Sequence, residues 1–234
     1  MADISESLVA SLAETLDAAG APCILWGQFL LSVHGIPSTI ASIDFIVPES
    51  RLAEAIPALE NARNLAHCPD KNACPWSPQR RKAIEPVFHM HLGDSAQTVT
   101  LYPHCQILWF LPQMNSSLPS SGQPQLELPQ HLTLASSSAD LPPRRPGHGS
   151  GFFTTVEYPV VVLRLHALLE AYIRLYLRDR KRRDGAYARH SVKLLMPCID
   201  DEELPGSREI SDRIKRYYKT LANGDEIILG RSGM

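Results

Sequence analysis

The stretch "GIPSTIASIDFIVPE", residues 35–49, decides how this chain is read. Gly35 closes one element, and "SIDFIVP" has the apolar, β-branched character of a strand. Side chains alternate along a strand, so Ser42 and Asp44 point to one face. Asp44 is the single aspartate of the stretch.

Working outward, "PCILWG" is a short strand of the buried type, and a helix follows through Leu30 to Val33. Before it, Ser5 or Ser7 can cap a helix in which Leu8, Leu12 and Leu16 repeat on one face, with Gly20 at its end. After the strand, "ESRLAEAIPALENA" reads as a helix disturbed by Pro57. Residues 66–86 are rich in proline and charge and read as a long loop. "VFHMHL" and "QTVTLYP", joined across "GDSA", form a hairpin, and "CQILWFL" is read as a third strand. Residues 113–150 are Ser-, Pro- and Gly-rich loop. Pro159 then marks the entry to a long amphipathic helix, with Leu165, Leu168, Leu169, Tyr172 and Leu175 on one face. Two more helices are expected over roughly 186–196 and 207–222. The expected organisation is an α+β domain, 1–150, followed by a helical domain, 151–234.

Composition narrows the function classes. The 234 residues are 44% hydrophobic and 21% charged, as in a globular protein with a real core. A net charge of −2 gives no global field toward DNA or an anionic membrane, so any RNA contact needs a local basic patch. The most apolar stretch is interrupted by Arg164, His166, Glu170 and Arg174, which excludes a membrane span. The N-terminal residues lack the pattern of a signal peptide. Five irregularly spaced cysteines fit reduced thiols, hence a cytoplasmic protein.

The order of "WG" (Trp26, Gly27), "HG" (His34, Gly35) and "SIDF" resembles the minimal nucleotidyltransferase family. In that family a double-glycine turn, a short helix ending in HG and an R-x-T-x-D-h-D strand follow one another. Counting from Gly35, Ser38 stands at the family's arginine, Ile40 at its threonine, Ser42 at its first aspartate and Asp44 at its second. The spacing from Gly27 to Gly35 is one residue longer than the family pattern. Thr100, in "TVTLYP", stands where a third carboxylate belongs. The resemblance spans roughly residues 20–105 and implies a nucleotidyltransferase-like mixed sheet with helices. A two-metal site uses several carboxylates to hold its ions around a triphosphate. One carboxylate and two hydroxyls offset too little charge, so no metal ligand and no cofactor are expected, Mg²⁺ only if nucleotidyl transfer persists. The plain alternative is an ordinary amphipathic strand.

A broader resemblance rests on "PCILWGQFLLSVHGIPSTIASIDFIVP", "LPPRRPGHGSGFF" and "LLEAYIRLYLRDR". These are similar to fungal proteins of small-molecule (secondary) metabolism, a group taken here to include the arginine-containing cyclodipeptide synthases. The resemblance implies aminoacyl-tRNA as partner, a small-molecule substrate and a remodelled, metal-independent pocket. Such a pocket needs a carboxylate for a guanidinium, a base for an attacking amine and cations for RNA phosphates.

Asp44, with His89 or His91 as base, forms the expected catalytic set. "HMH" puts both histidines on one strand face, although two half-buried strand histidines would look the same. His67, Cys68 and Cys74 could join them around zinc, but their spacing lacks the usual short Cys–Cys hook. Ser42, Thr100, Trp26, Gly27, Glu157 and Glu170 are the expected substrate-binding residues, and Glu170 also has Arg174 one turn on. Arg178, Lys181, Arg182 and Arg183 in "RDRKRRD" are candidate RNA contacts, or simply a solvated helix end. Arg144 and Arg145 in "PPRRPGHGSG" are candidate phosphate contacts, with backbone N–H groups that could cradle an anion, or a plain loop. Two further functional readings stay open at this point, Mg²⁺-dependent nucleotidyl transfer and a non-catalytic binding module.

Overall fold

A computed structural model describes residues 4–68, 70, 74–77, 80, 84–113, 128–154, 158–198 and 212–223. It divides into two units, 1–164 and 165–234.

In the first unit, α1 (Glu6–Ala18) is capped by Ser5, whose Oγ accepts the Leu8 N–H at 3.2 Å. Gly20, at φ +76°, turns the chain out of the helix while the Ala21 N–H reaches back to the Leu16 carbonyl. Strand β1 (Ile24–Trp26) runs directly into α2 (Gly27–Val33), and β2 (Ser42–Val47) follows. Helix α3 (Leu52–Glu60) keeps Pro57 inside it and leads to the short edge strand β3 (Leu65–Ala66). The hairpin of β4 (Phe88–Leu92) and β5 (Thr98–Pro103) closes across Gly93 at φ +55°. The sheet order is β1-β2-β5-β4-β3, with β2 and β5 parallel and the other pairs antiparallel. This is the mixed-sheet α+β class read from the sequence.

Register divides the sheet into two chemically different faces. Ile43, Phe45 and Val47 pair with Val99, Leu101 and Pro103, and Met90 pairs with Val99. Leu25, Ile43, Phe45, Val47, Val99, Leu101 and Met90 are all buried, which makes this face the core. The opposite face carries Ser42, Asp44, Thr98, Thr100, His89 and His91.

Several sequence expectations change. "CQILWFL" is not a third strand: Pro103 ends β5, and α4 (His104–Ile107) turns the chain away, with Leu108 N bonded to the His104 carbonyl. Within the expected loop lies β6 (Leu132–Leu134), which pairs antiparallel with β7 (Val161–Leu163). Residues 151–164 therefore belong with the first unit, and the long helix begins at Leu165 rather than near Pro159. Short strands of this kind carry almost no periodic signal, so their pairing has no signature in the local sequence. The "PGHGSG" backbone is also committed. The N–H groups of Gly149 and Gly151 bond to the carbonyls of Gly35 and Ser32, and that of Ser150 bonds to Ser32 Oγ, so these donors are not turned to an anion.

The second unit contains α5 (Leu165–Asp179), α6 (Arg183–Leu195) and α7 (Asp212–Ala222). Leu168, Tyr172 and Leu175 of α5, Val192 and Leu195 of α6 and Ile214 and Tyr218 of α7 are buried, as amphipathic helices require. Among the described residues, no helix is long and apolar enough to cross a membrane.

His34 ties α2 to the β6–β7 pair, since its Nε2–H donates to the Leu163 carbonyl at 2.9 Å. Burial drives its pKa down to about 4, against the opposing pull of that hydrogen bond. Between pH 6.5 and 4 the unfolded chain binds this proton and the folded chain does not, so stability falls as pH falls through that window. The full effect is about 3 kcal/mol at ~1.4 kcal/mol per unit. Denaturant unfolding from pH 7 to 4 should show this loss in the wild type, and the His34-dependent part should vanish in His34→Gln.

Candidate functional site

The polar face of the sheet is built by pairing. Trp26 pairs with Asp44, Asp44 with Thr100, and Thr100 with His89, so one row of residues crosses four strands. The adjoining row runs Ser42, Thr98, His91 and Ala66.

Asp44 is 4% exposed. Thr100 Oγ1 donates to its Oδ1 at 2.6 Å, and the Ser42 hydroxyl gives a second hydrogen bond. Burial outweighs these bonds and lifts its pKa to about 6. Among the described residues no Lys, Arg or His forms an ion pair with it. Its other oxygen lies over Gly27, where an added Cβ would stand 2.1 Å from Oδ2. Gly27 also sits at φ +70°, a backbone that side-chain-bearing residues avoid. The glycine read as part of a family turn is thus the residue that makes room for the carboxylate.

The donor set at Asp44 does not fit a pair of divalent ions. Among the described residues it offers one ionisable oxygen ligand, a buried carboxylate that accepts hydrogen bonds from two hydroxyls, too little negative charge for two divalent ions. No step is assigned through such ions.

His89 and His91 meet cysteines. Cys74 Sγ lies 3.2 Å from His89 Nε2 and 3.6 Å from His91 Nε2. Cys68 completes a group of four whose ligand atoms all lie within 4.8 Å of one another. The expectation of no metal ligands and no cofactor is therefore corrected: the chain holds a set of side chains competent to bind a metal ion. The Cys68–Cys74 spacing lacks the usual short hook, but the sheet register supplies two histidine ligands at a fixed separation. Burial, followed by the neighbouring His91, holds the His89 imidazole below its usual range and so favours the neutral form. Neither histidine is among the hydrogen-bond partners of Asp44. Above the second row, Trp76 Nε1 donates to Thr98 Oγ1 at 2.9 Å, so the Trp76 side chain lies on this face.

The remaining candidates are scattered. Glu170 is paired with Arg174 at 2.7 Å, the local partnership open to it from sequence. Arg178 pairs with Asp179, while Lys181 and Arg182 are exposed. Arg183 opens α6, its side chain lies outside the described residues, and Glu157 lies outside them altogether. Arg144 and Arg145 are exposed. Arg144 borders a polar cleft of ≈ 610 Å³ with Glu6, Ser32, Ser38, His148 and Ser150; Asp44 does not line it. Ser38 has a buried hydroxyl without a partner among the described residues.

No protein-family model matches the chain. No curated protein matches its sequence. Solved structures similar to the chain include the following two. One is a crystal structure of ANT(2″)-Ia in complex with adenylyl-2″-tobramycin, with 11% identity, 93% of this chain and 96% of that chain covered, and a TM-score of 0.43. The other is a solution structure of the antibiotic-resistance factor ANT(2″)-Ia, with 12% identity, 94% and 96% covered, and a TM-score of 0.41. At these scores the likeness is too loose to transfer a residue or a substrate.

Two substitutions probe Asp44. Between pH 3.8 and about 6 the folded state keeps a proton that the unfolded state has lost, so wild-type stability declines as pH rises and levels off above 6. Asp44→Asn removes this decline. Its stability relative to wild type should climb by about 3 kcal/mol across that window, read from denaturant unfolding at each pH. Gly27→Ala should cost on the order of 1–3 kcal/mol, from the positive φ and from the clash with the carboxylate. In an Asp44→Ala background only the backbone part should remain, a difference a double-mutant cycle measures.

Proposed function

We propose that this chain is a transferase whose pocket, on a nucleotidyltransferase-like fold, uses Asp44 to anchor a cationic group of its substrate. One observation carries this reading. Asp44 is a buried carboxylate, oriented by Thr100 and accommodated by Gly27, with no cation paired to it among the described residues. An unpaired buried carboxylate is costly to a fold, and a guanidinium or ammonium entering from the substrate relieves that cost. Perturbed carboxylates in such settings mark functional sites.

The specific form of the proposal comes from the resemblance to the arginine-containing cyclodipeptide synthases. Two aminoacyl-tRNAs then supply the substrate. The amine of one aminoacyl group attacks the ester carbonyl of the other and releases one tRNA. Ring closure by the second amine releases the other tRNA and leaves a diketopiperazine. Asp44 would hold the arginine guanidinium, and the exposed Arg144 and Arg145 of the first unit, or Lys181 and Arg182 of the second, are candidate contacts for RNA phosphates.

The test is incubation with arginyl-tRNA and a second aminoacyl-tRNA, with mass-spectrometric detection of the cyclic dipeptide. Asp44→Ala should lower kcat/KM by about a hundred-fold, the ~3 kcal/mol of a hydrogen bond to a charged group. Absence of product from folded wild-type protein removes the cyclodipeptide assignment. If guanidinium and ammonium ligands also stabilise wild type and Asp44→Ala equally against heat, the anchoring role of Asp44 falls with it.

A further inference from the structure

We infer that Cys68, Cys74, His89 and His91 form a structural zinc site that fastens the segment after β3 to the polar face of the sheet. This inference is independent of the reaction proposed for Asp44.

The geometry fits a tetrahedral ion. Zinc–sulfur bonds of about 2.3 Å and zinc–nitrogen bonds of about 2.0–2.1 Å place adjacent S and N ligands roughly 3.6 Å apart in a tetrahedron. Cys74 Sγ stands 3.2 and 3.6 Å from the two Nε2 atoms, and all four ligand atoms fall within 4.8 Å. No other residue type is needed, because two thiolates and two neutral imidazoles complete the shell and cancel the charge of the ion.

The surroundings orient these ligands independently of the distances. His91 Nδ1 lies 2.9 Å from the Ser95 carbonyl, which can only accept, so the ring proton sits on Nδ1 and the Nε2 lone pair faces Cys74. The backbone N–H of Trp76 points at Cys74 Sγ from 3.4 Å, a donor suited to a thiolate. His89 and His91 are two apart on β4, so the pleat delivers both rings to one side.

The fold supplies a reason for the site. Cys68 and Cys74 belong to a proline-rich, charged stretch with few apolar side chains to bury. Hydrophobic packing alone holds such a segment weakly, and a metal crosslink to β4 holds it directly. Four protein ligands leave no open coordination position, so the ion is assigned to structure rather than to catalysis. Binding releases one proton from each cysteine thiol and no electrons are exchanged.

The experiment begins with wild-type protein purified under reducing conditions, equilibrated with Zn²⁺ and freed of excess ion. Native mass spectrometry and elemental analysis should find one zinc per chain. A mercurial reagent that blocks thiols should release that zinc in step with the first two thiols modified. A cobalt-substituted sample should show the intense d–d bands of a tetrahedral ion together with thiolate-to-cobalt charge transfer. Cys74→Ser and His91→Gln should each lose most of the zinc, while Asp44→Asn, outside the cluster, keeps it. Chelation should lower the wild-type melting temperature. A reduced, folded wild-type protein that stays metal-free overturns the inference, as does a Cys68–Cys74 disulfide found by intact mass with zinc unbound. Wild-type stoichiometry alone decides this, so a variant that fails to fold leaves the test intact.

Discussion

The parallel pairing of β2 with β5 is the constraint on which the first unit depends. It sets Asp44 against Thr100 and Ser42 against Thr98, and in the same stroke sets Ile43 and Phe45 against Val99 and Leu101. A shift of one residue would turn the apolar set out of the core and the carboxylate into it. The hydrogen bond from Thr100 to Asp44 marks the correct register on the polar side. The β4–β5 hairpin extends that register by one strand, which sets His89 against Thr100 and His91 against Thr98.

Along this face the chemistry separates into two parts. Around Asp44 it is closely packed, with the carboxylate occupying the space that a side chain at Gly27 would take. Around β4 it is made of nitrogen and sulfur ligands, with Trp76 bonded to Thr98 beside them. Both parts need the same alternation. Apolar residues on one face of β2, β4 and β5 supply the burial, and this leaves the other face free to carry polar groups. The glycines serve in different ways. Gly27 leaves room for a carboxylate, whereas Gly149 lets the loop backbone approach the Ser32 carbonyl, which an added Cβ would meet at 2.2 Å.

Much of this was legible in the chain. The strands "ILW", "SIDFIV", "FHMHL" and "TVTLYP", the cap at Ser5 and the amphipathic helices of the second unit follow from periodicity and capping. The β6–β7 pair was not legible, because three-residue strands separated by a long connection have no local pattern of their own. The metal ligands were present as letters, but Cys68 and Cys74 stand outside any regular hook, and only the sheet shows that they meet the two histidines. Glu170 looked like a cleft residue and is held by its neighbour on the helix, as the spacing to Arg174 already allowed.

By itself, then, the sequence determined the α+β character, the shared strand face of Ser42 and Asp44, that of His89 and His91, and the single carboxylate on the strand of Asp44. These are local properties, set by alternation along a strand and by residue identity. Tertiary structure decided which groups meet. Whether Asp44 has a cation beside it, whether a histidine faces a carboxylate or a thiol, and whether a glycine is a turn or a space all depend on register between strands far apart in the chain. That register is fixed by burial of the opposite face of the sheet, a property of the whole core that no single segment of the sequence carries.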